Sequence, residues 1–248
     1  MTDLSINLNK ICLIRNSREG DYPSVIDHAK VCINNGADGI TVHPRPDQRH
    51  IRPKDVRELA KLVYPIKNIE FNVEGNPFAK ASGDYPGFIN LIEETQPDQC
   101  TLVPDTDDQL TSDHGFDINI SGEKLAPIVS RLKNQGIRVS LFMDPNLEQI
   151  RLAAELGIDR VELYTGPYAA ACGFENITEI FLQHQKAAQL CESLEIGVNA
   201  GHDLNLNNLE LFSSIPNLIE VSIGHAFIVD SISMGMVAAI RAYNQLLK

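Results

Sequence analysis

Eight strand-like runs, each followed by a helix-like segment, divide the chain into units of roughly 30 residues. The length of 248 residues suits eight such units closed on themselves, for which about 250 residues is typical. Polar side chains also gather where the runs end. Together these observations predict an α/β fold, a TIM (β/α)8 barrel, with residues 1–248 as a single domain.

Residues 5–9 (SINLN) are the first β-like run, ending at Lys10. After a loop at 16–20, Val25, Ile26 and residues 29–33 keep helical apolar spacing, and Asn35-Gly36 closes that helix. Ile40, Thr41 and Val42 are branched residues suited to a pleated strand. A helix over 55–63 places Val56, Leu59, Ala60 and Val63 on one face. The third strand spans 69–73 and leads into a turn-rich insertion at 76–87, before a short helix at 88–94. Strand 100–104, a polar loop at 105–121 and a helix at 123–135 follow. Strands at 138–143 and 160–164 flank a helix at 147–156, and a long helix covers 177–194. Strand 196–200, helix 206–212, strand 218–223 and a final helix at 231–247 complete the series. The joints Asn35-Gly36-Ala37-Asp38-Gly39-Ile40 and Leu156-Gly157-Ile158-Asp159-Arg160-Val161 are alike, each with a glycine capping the preceding helix. A doubly wound open sheet is the alternative topology, and no G-x-G-x-x-G supports its dinucleotide-binding version.

The formal charge of −12 and isoelectric point near 5.0 argue against nucleic acid or an anionic membrane as partner. The amino end lacks a basic region followed by an apolar core, and no apolar stretch is long enough to span a bilayer. The five cysteines are scattered with no C-x-x-C pair, so neither a disulfide framework nor a zinc knuckle is expected. The expected location is cytoplasmic.

Residues 39–52 read GITVHPRPDQRHIR, an apolar strand turning abruptly into a loop rich in histidine and arginine. Pro44 and Pro46 stiffen its exit. A cationic loop on an acidic chain suits an anion, and the arginine fork matches phosphate oxygens; a solvated arginine loop is the plainer explanation. Other strand ends are also loaded: Asn7 and Asn9-Lys10 on the first, His43 and Arg45 on the second, and Glu70 on the third. Glu162 lies on the sixth, Asn199 and Gly201-His202 on the seventh, and Gly224-His225 on the eighth. Chemistry in such barrels belongs at the carboxyl ends of strands. Glu70 and Glu162 sit between apolar neighbours, so each faces opposite to them. An inward carboxylate is desolvated, which raises its pKa toward that of a general base; a structural ion pair is the competing reading. His43 and His202 each follow a β run and are of a type that can titrate near neutrality. Gly224-His225 leaves amides open for phosphate, whereas Asp203 beside Gly201-His202 would repel an anion. There is no His-x-His on the first strand and no H-E-x-x-H, so a metal-free acid/base site is favoured over a metal site.

These residues resemble the pyridoxine 5'-phosphate synthase family nearly end to end. The likeness is carried by Leu13-Ile14-Arg15-Asn16-Ser17-Arg18, Gly36-Ala37-Asp38-Gly39-Ile40-Thr41-Val42-His43, Arg49-His50-Ile51 and Cys100-Thr101-Leu102-Val103-Pro104. Val139-Ser140-Leu141-Phe142, Val198-Asn199-Ala200-Gly201-His202 and Ile223-Gly224-His225-Ala226 extend it. The resemblance implies a TIM barrel that condenses 3-amino-2-oxopropyl phosphate with 1-deoxy-D-xylulose 5-phosphate, without a cofactor. It implies His43 and Glu70 as proton acceptors and His202 as proton donor. Asn7, Arg18, Arg45, His50 and Thr111 would bind substrate, Gly224-His225 would hold the retained phosphate, and Glu162 would join the pocket. A ring-like homo-octamer is the implied assembly. The chain departs from the family pattern at Asn9-Lys10, where many members carry Asp-His, and at Asp203, which replaces a common glycine. Asn9, Lys10 and Asp203 are retained as substrate contacts. The 76–87 insertion is expected to be a surface excursion or subunit contact. A phosphosugar isomerase or aldolase-type barrel and a non-catalytic phosphosugar-binding protein are the alternatives.

Overall fold

The computed structural model describes residues 2–248. Eight parallel strands close in sequence order: β1 (Asp3–Asn7), β2 (Gly39–Val42), β3 (Glu70–Gly75), β4 (Gln99–Leu102), β5 (Arg138–Met143), β6 (Arg160–Tyr164), β7 (Gly197–Gly201) and β8 (Leu218–Ile223). β8 returns to β1 with Ser5 opposite Ser222 and Ile6 opposite Ile223. The expected TIM barrel is the fold found.

Alternation divides each strand between two environments. Leu4, Ile6, Ile40, Val42, Val73, Leu102, Leu141, Val161 and Ile223 are buried among the surrounding helices. The opposite parity faces the barrel interior and is polar: Ser5, Thr41, Asn72, Thr101, Ser140, Glu162, Asn199 and Glu220 are all buried. Asn199 Nδ2 lies 3.5 Å from Gln99 Oε1, across the barrel from β7 to β4. At the amino end, Arg160 donates to Asn199 (3.1 Å) and lies 3.8 Å from Glu220, while Arg138 donates to Gln99 (2.9 Å) and pairs with Glu70. Most polar groups there are paired, while Gln99 Nε2 is buried without a hydrogen-bond partner.

Several boundaries differ from the sequence expectation. β1 ends at Asn7, and α1 (Asn9–Asn16) begins at once. α5 (Ile118–Lys133) starts well before residue 123 because Asp117 caps it, its side chain accepting from the Asn119 N–H at 3.0 Å. Residues 166–171, which carry no helical pattern in the sequence, form α7 (Gly166–Ala171). The final helix is two, α10 (His225–Met234) and α11 (Met236–Leu247), broken at Gly235 with φ +86°, a conformation that suits glycine. Half of the 76–87 insertion is exposed, and it is anchored by buried Tyr85 and a bridge between Ser82 and Tyr85. Among the described residues, no helix is long and apolar enough to cross a membrane, and all five cysteines are free thiols.

Candidate active site

The carboxyl ends of the strands surround a cavity of about 280 Å³. Its lining unites Asn7, Asn9, Lys10, His43, Arg45, His50, Thr111, Glu162, His202, Asp203, Gly224 and His225, all expected from the sequence, with Arg49, Glu74, Ser112 and Ser222. Two expected residues lie elsewhere. Arg18 is exposed on the segment after α1 and does not line the cavity. Glu70 opens β3 at the amino end and pairs with Arg138 there. Its inward parity was correctly read, but alternation specifies a face and not a height. The inward carboxylate at the cavity is Glu74, four residues further along β3.

The first side of the site is an asparagine relay. The Asn9 backbone N–H donates to Asn7 Oδ1 (3.0 Å), and the His43 backbone N–H donates to Asn9 Oδ1 (2.9 Å). Asn7 Nδ2 donates to Glu74 Oε2 at 3.4 Å. Asn9 is therefore a structural clamp between β1 and His43, and Lys10 in the first turn of α1 points a cation to the same cavity.

His43 stands just after β2 between two carboxylates. Its Nδ1 is 3.8 Å from Glu74 Oε2, and its Nε2 is 3.3 Å from Asp105 Oδ2. Asp105 also holds Arg45 and accepts from Ser112 Oγ at 3.0 Å. Arg45 further donates to the Gln109 carbonyl (2.9 Å), and Arg49 to the carbonyls of Gln109 and Asp107 (both 2.7 Å). Both guanidinium groups thus pin the segment that carries Thr111 over the cavity. His50 accepts the Ile51 N–H at Nδ1 (2.9 Å), so its neutral ring carries the proton on Nε2.

Burial governs ionisation here. Desolvation, followed by Arg45, His202 and Arg49, holds His43 well below the usual histidine value. Desolvation and then His43 push His50 down to about 3. Both rings are neutral near pH 7 and ready to accept a proton or donate one hydrogen bond. Burial, then the neighbouring Glu162, Glu220 and Asp105, raise Glu74 well above a normal carboxylate. Burial and Glu220 raise Glu162 to about 8. Glu162 Oε2 is buried without a hydrogen-bond partner, and a side chain at Gly201 would collide with the same carboxylate.

His202 and Asp203 adopt φ of +86° and +58°, a strained backbone for two non-glycine residues. Thr165 Oγ1 steadies the turn by donating to the carbonyls of Gly201 (2.6 Å) and His202. The His202 ring packs within 5.6 Å of Phe142 and 5.5 Å of Tyr164, centre to centre. Desolvation lowers its pKa against the opposing pull of Asp203. Across the cavity mouth, Gly224 precedes α10, whose first residue is His225. That helix amino end presents free N–H groups and a partial positive charge, which suit phosphate. Among the described residues, no group of three or more His, Cys, Asp or Glu side chains is arranged to hold a metal ion.

A family model described as pyridoxal phosphate biosynthesis protein PdxJ matches residues 4–248. A pyridoxine 5'-phosphate synthase of Xanthomonas axonopodis pv. citri (strain 306) is 50% identical over 248 residues, covering 100% of this chain and 97% of that protein. A protein of the same name from Xylella fastidiosa (strain M23) is 47% identical over 247 residues, covering 99% and 95%. Among solved structures, a tryptophan synthase alpha chain from Legionella pneumophila subsp. pneumophila has a TM-score of 0.63 at 11% identity, covering 99% of this chain and 91% of that one. A 4-hydroxy-2-oxoglutarate aldolase/2-deydro-3-deoxyphosphogluconate aldolase from TTHB1 has a TM-score of 0.63 at 13% identity, covering 99% and 94%. These two share the fold.

Proposed function

The chain belongs to the pyridoxal phosphate biosynthesis protein PdxJ family, and from that premise we propose that it is a pyridoxine 5'-phosphate synthase joining 3-amino-2-oxopropyl phosphate to 1-deoxy-D-xylulose 5-phosphate. The observation that carries this reading is one cavity holding neutral histidines, buried carboxyls and separate anion-binding groups. The amine adds to the ketone and expels water to form an imine. Removal of a carbon-bound proton then expels phosphate from the five-carbon unit. Water addition and a carbon–carbon bond close the ring, and dehydration completes its aromatic character. Atom balance gives pyridoxine 5'-phosphate, one phosphate and two waters. No net oxidation occurs, so the reading needs no redox cofactor.

His43 takes the carbon-bound proton, and His202 returns protons to departing oxygens. Burial keeps both neutral at rest, so His43 is able to accept a proton, and His202 returns protons only after first taking one up. Gly224-His225 hold the phosphate that survives into product, through amides at the start of α10. Lys10, Arg45 and His50 meet the other polar groups, with Asn7, Thr111 and Glu162 fixing orientation. A phosphate that takes the Arg45 fork must displace the carbonyls it now holds. The same reading places the enzyme in the cytoplasm and its subunits in a homo-octamer, which native mass measurement counts directly.

His43→Asn and Glu70→Gln test the assignment together. General acid–base groups contribute on the order of 10²–10⁴ in rate, so His43→Asn loses at least ~10² in kcat while substrate binding survives. Glu70→Gln, altered at the opposite end of the barrel, stays within about threefold of the parent, a difference below ~1 kcal/mol. Full turnover by His43→Asn, or inactivity of a folded Glu70→Gln protein, overturns the assignment.

A further inference from the structure

Glu74 has no role in the scheme above, yet it is the carboxylate nearest the His43 ring on the Nδ1 side. The residue is 8% exposed. It is reached from the sequence only by continuing the inward parity of β3 past Glu70 and Asn72. Its Oε2 accepts from Asn7 Nδ2 at 3.4 Å and faces His43 Nδ1 at 3.8 Å.

The opposite edge of the ring fixes the tautomer. Asp105 is committed to Arg45 and Ser112 as an acceptor, and its Oδ2 lies 3.3 Å from His43 Nε2. A neutral His43 therefore carries its proton on Nε2, toward Asp105. The basic lone pair is left on Nδ1, toward Glu74. The 3.8 Å gap is longer than a hydrogen bond of about 2.7–3.2 Å, so a small shift of either side chain makes or breaks the contact. The backbone side of His43 is fixed by the Asn9 clamp, which leaves the ring and the Glu74 carboxyl as the movable partners.

We propose that Glu74 is the positioning residue of His43: it orients Nδ1 and takes over the proton that His43 removes from substrate, so one imidazole serves successive transfers. This rests on the reading of His43 as proton acceptor. In the step, the substrate C–H bond breaks and its electron pair stays on the substrate. The proton goes to His43 Nδ1 and, once the ring closes the 3.8 Å gap, on to the ionised Glu74 carboxylate at Oε2, which restores the neutral ring. The other titratable groups facing Glu74 are Glu162 from β6, Glu220 from β8 and Asp105 after β4, with Cys100 of β4 coupled to it electrostatically. Three acidic neighbours in a buried setting raise the proton affinity of the Glu74 carboxylate, which draws the proton off the imidazolium.

Full-length protein labelled with ¹⁵N-histidine, with the His43 signals identified by their loss in His43→Asn, tests the contact without relying on turnover. In the parent protein, ionisation of Glu74, above the usual carboxylate range, gives His43 Nδ1 a chemical-shift step. That step disappears in Glu74→Gln and persists, displaced, in Glu74→Asp. In parallel, Glu74→Gln lowers kcat by about 10–100-fold with KM within about threefold, and Glu74→Asp recovers part of the loss. No step in the parent, or the same step in Glu74→Gln, overturns the proposal. So does an unchanged kcat in Glu74→Gln while His43→Asn is inactive. If His43→Asn retains turnover, the assignment of the base fails first, and the shift experiment still reports whether Glu74 and His43 are coupled.

Discussion

Arg15→Met examines what holds the histidine-rich loop in place. Arg15 is 3% exposed and Asp55 5% at the side chain, and they form a two-pronged pair, Nη1–Oδ1 at 2.6 Å and Nη2–Oδ2 at 2.9 Å. Arg15 Nη2 also donates to the His50 carbonyl at 3.1 Å, and neighbouring Asn16 donates to the same carbonyl at 2.9 Å. The pair thus ties α1 to α3 (Pro53–Val63) and to the loop carrying Arg49 and His50. With Arg15 gone, Asp55 keeps the Arg52 N–H (2.8 Å) but loses its countercharge. Removing one partner of a buried pair costs about 3–5 kcal/mol. At about 2–4 °C per kcal/mol for a protein of this size, the melting temperature falls by roughly 6–20 °C. Urea and thermal unfolding measure it. The double variant Arg15→Met/Asp55→Leu regains most of the loss, because no lone buried charge remains. A single-variant cost below ~1 kcal/mol, or a double variant as unstable as the sum of the singles, refutes the reasoning.

Gly201→Ala puts a methyl into the space of the Glu162 carboxylate. Overpacking of about 1–3 kcal/mol focused on the site lowers kcat/KM at least ~10-fold; steady-state kinetics that match the parent contradict that crowding. The stability profile is expected to fall on both sides of an acid optimum. His50 stays neutral down to about 3, against 6.5 when free, so the unfolded chain binds the extra proton below 6.5 and stability falls as pH falls toward 3. Glu162 and Glu220 are raised from 4.5 to about 8 and about 7, so the fold holds protons that the unfolded chain has lost, and stability falls as pH rises through those values. Each pKa unit amounts to about 1.4 kcal/mol, and urea titrations show a flatter decline between pH 6.5 and 8 for Glu162→Gln; an unchanged slope speaks against a buried neutral Glu162.

The barrel was legible because its signals are local. Branched runs such as Ile40-Thr41-Val42 and glycines such as Gly36 and Gly157 mark each strand and each helix end, and eight repetitions leave little freedom in the closure. His43, His202 and Gly224-His225 were legible as residues of the barrel mouth because each immediately follows a strand, and they line the cavity there. Glu70 and Glu74 were confused because both point inward from β3, one at each end, and a period of two carries no information about depth. Asp105 left no local trace: its meaning lies in contacts with Arg45 and His43, about 60 residues away in the chain. Arg18 belonged to a motif whose neighbours Arg15 and Asn16 make buried contacts, while Arg18 itself faces solvent. Short α7 escaped because one and a half turns give too few residues for a periodic pattern.

The most direct measurement is a ³¹P NMR time course of the protein with both phosphorylated substrates, and with each alone. The account predicts that the two substrate ester signals decline together only in the mixture. They are replaced by inorganic phosphate and the pyridoxine 5'-phosphate ester in equal amounts. Phosphate release from a single substrate, or no new ester from a folded protein that binds both, would contradict it.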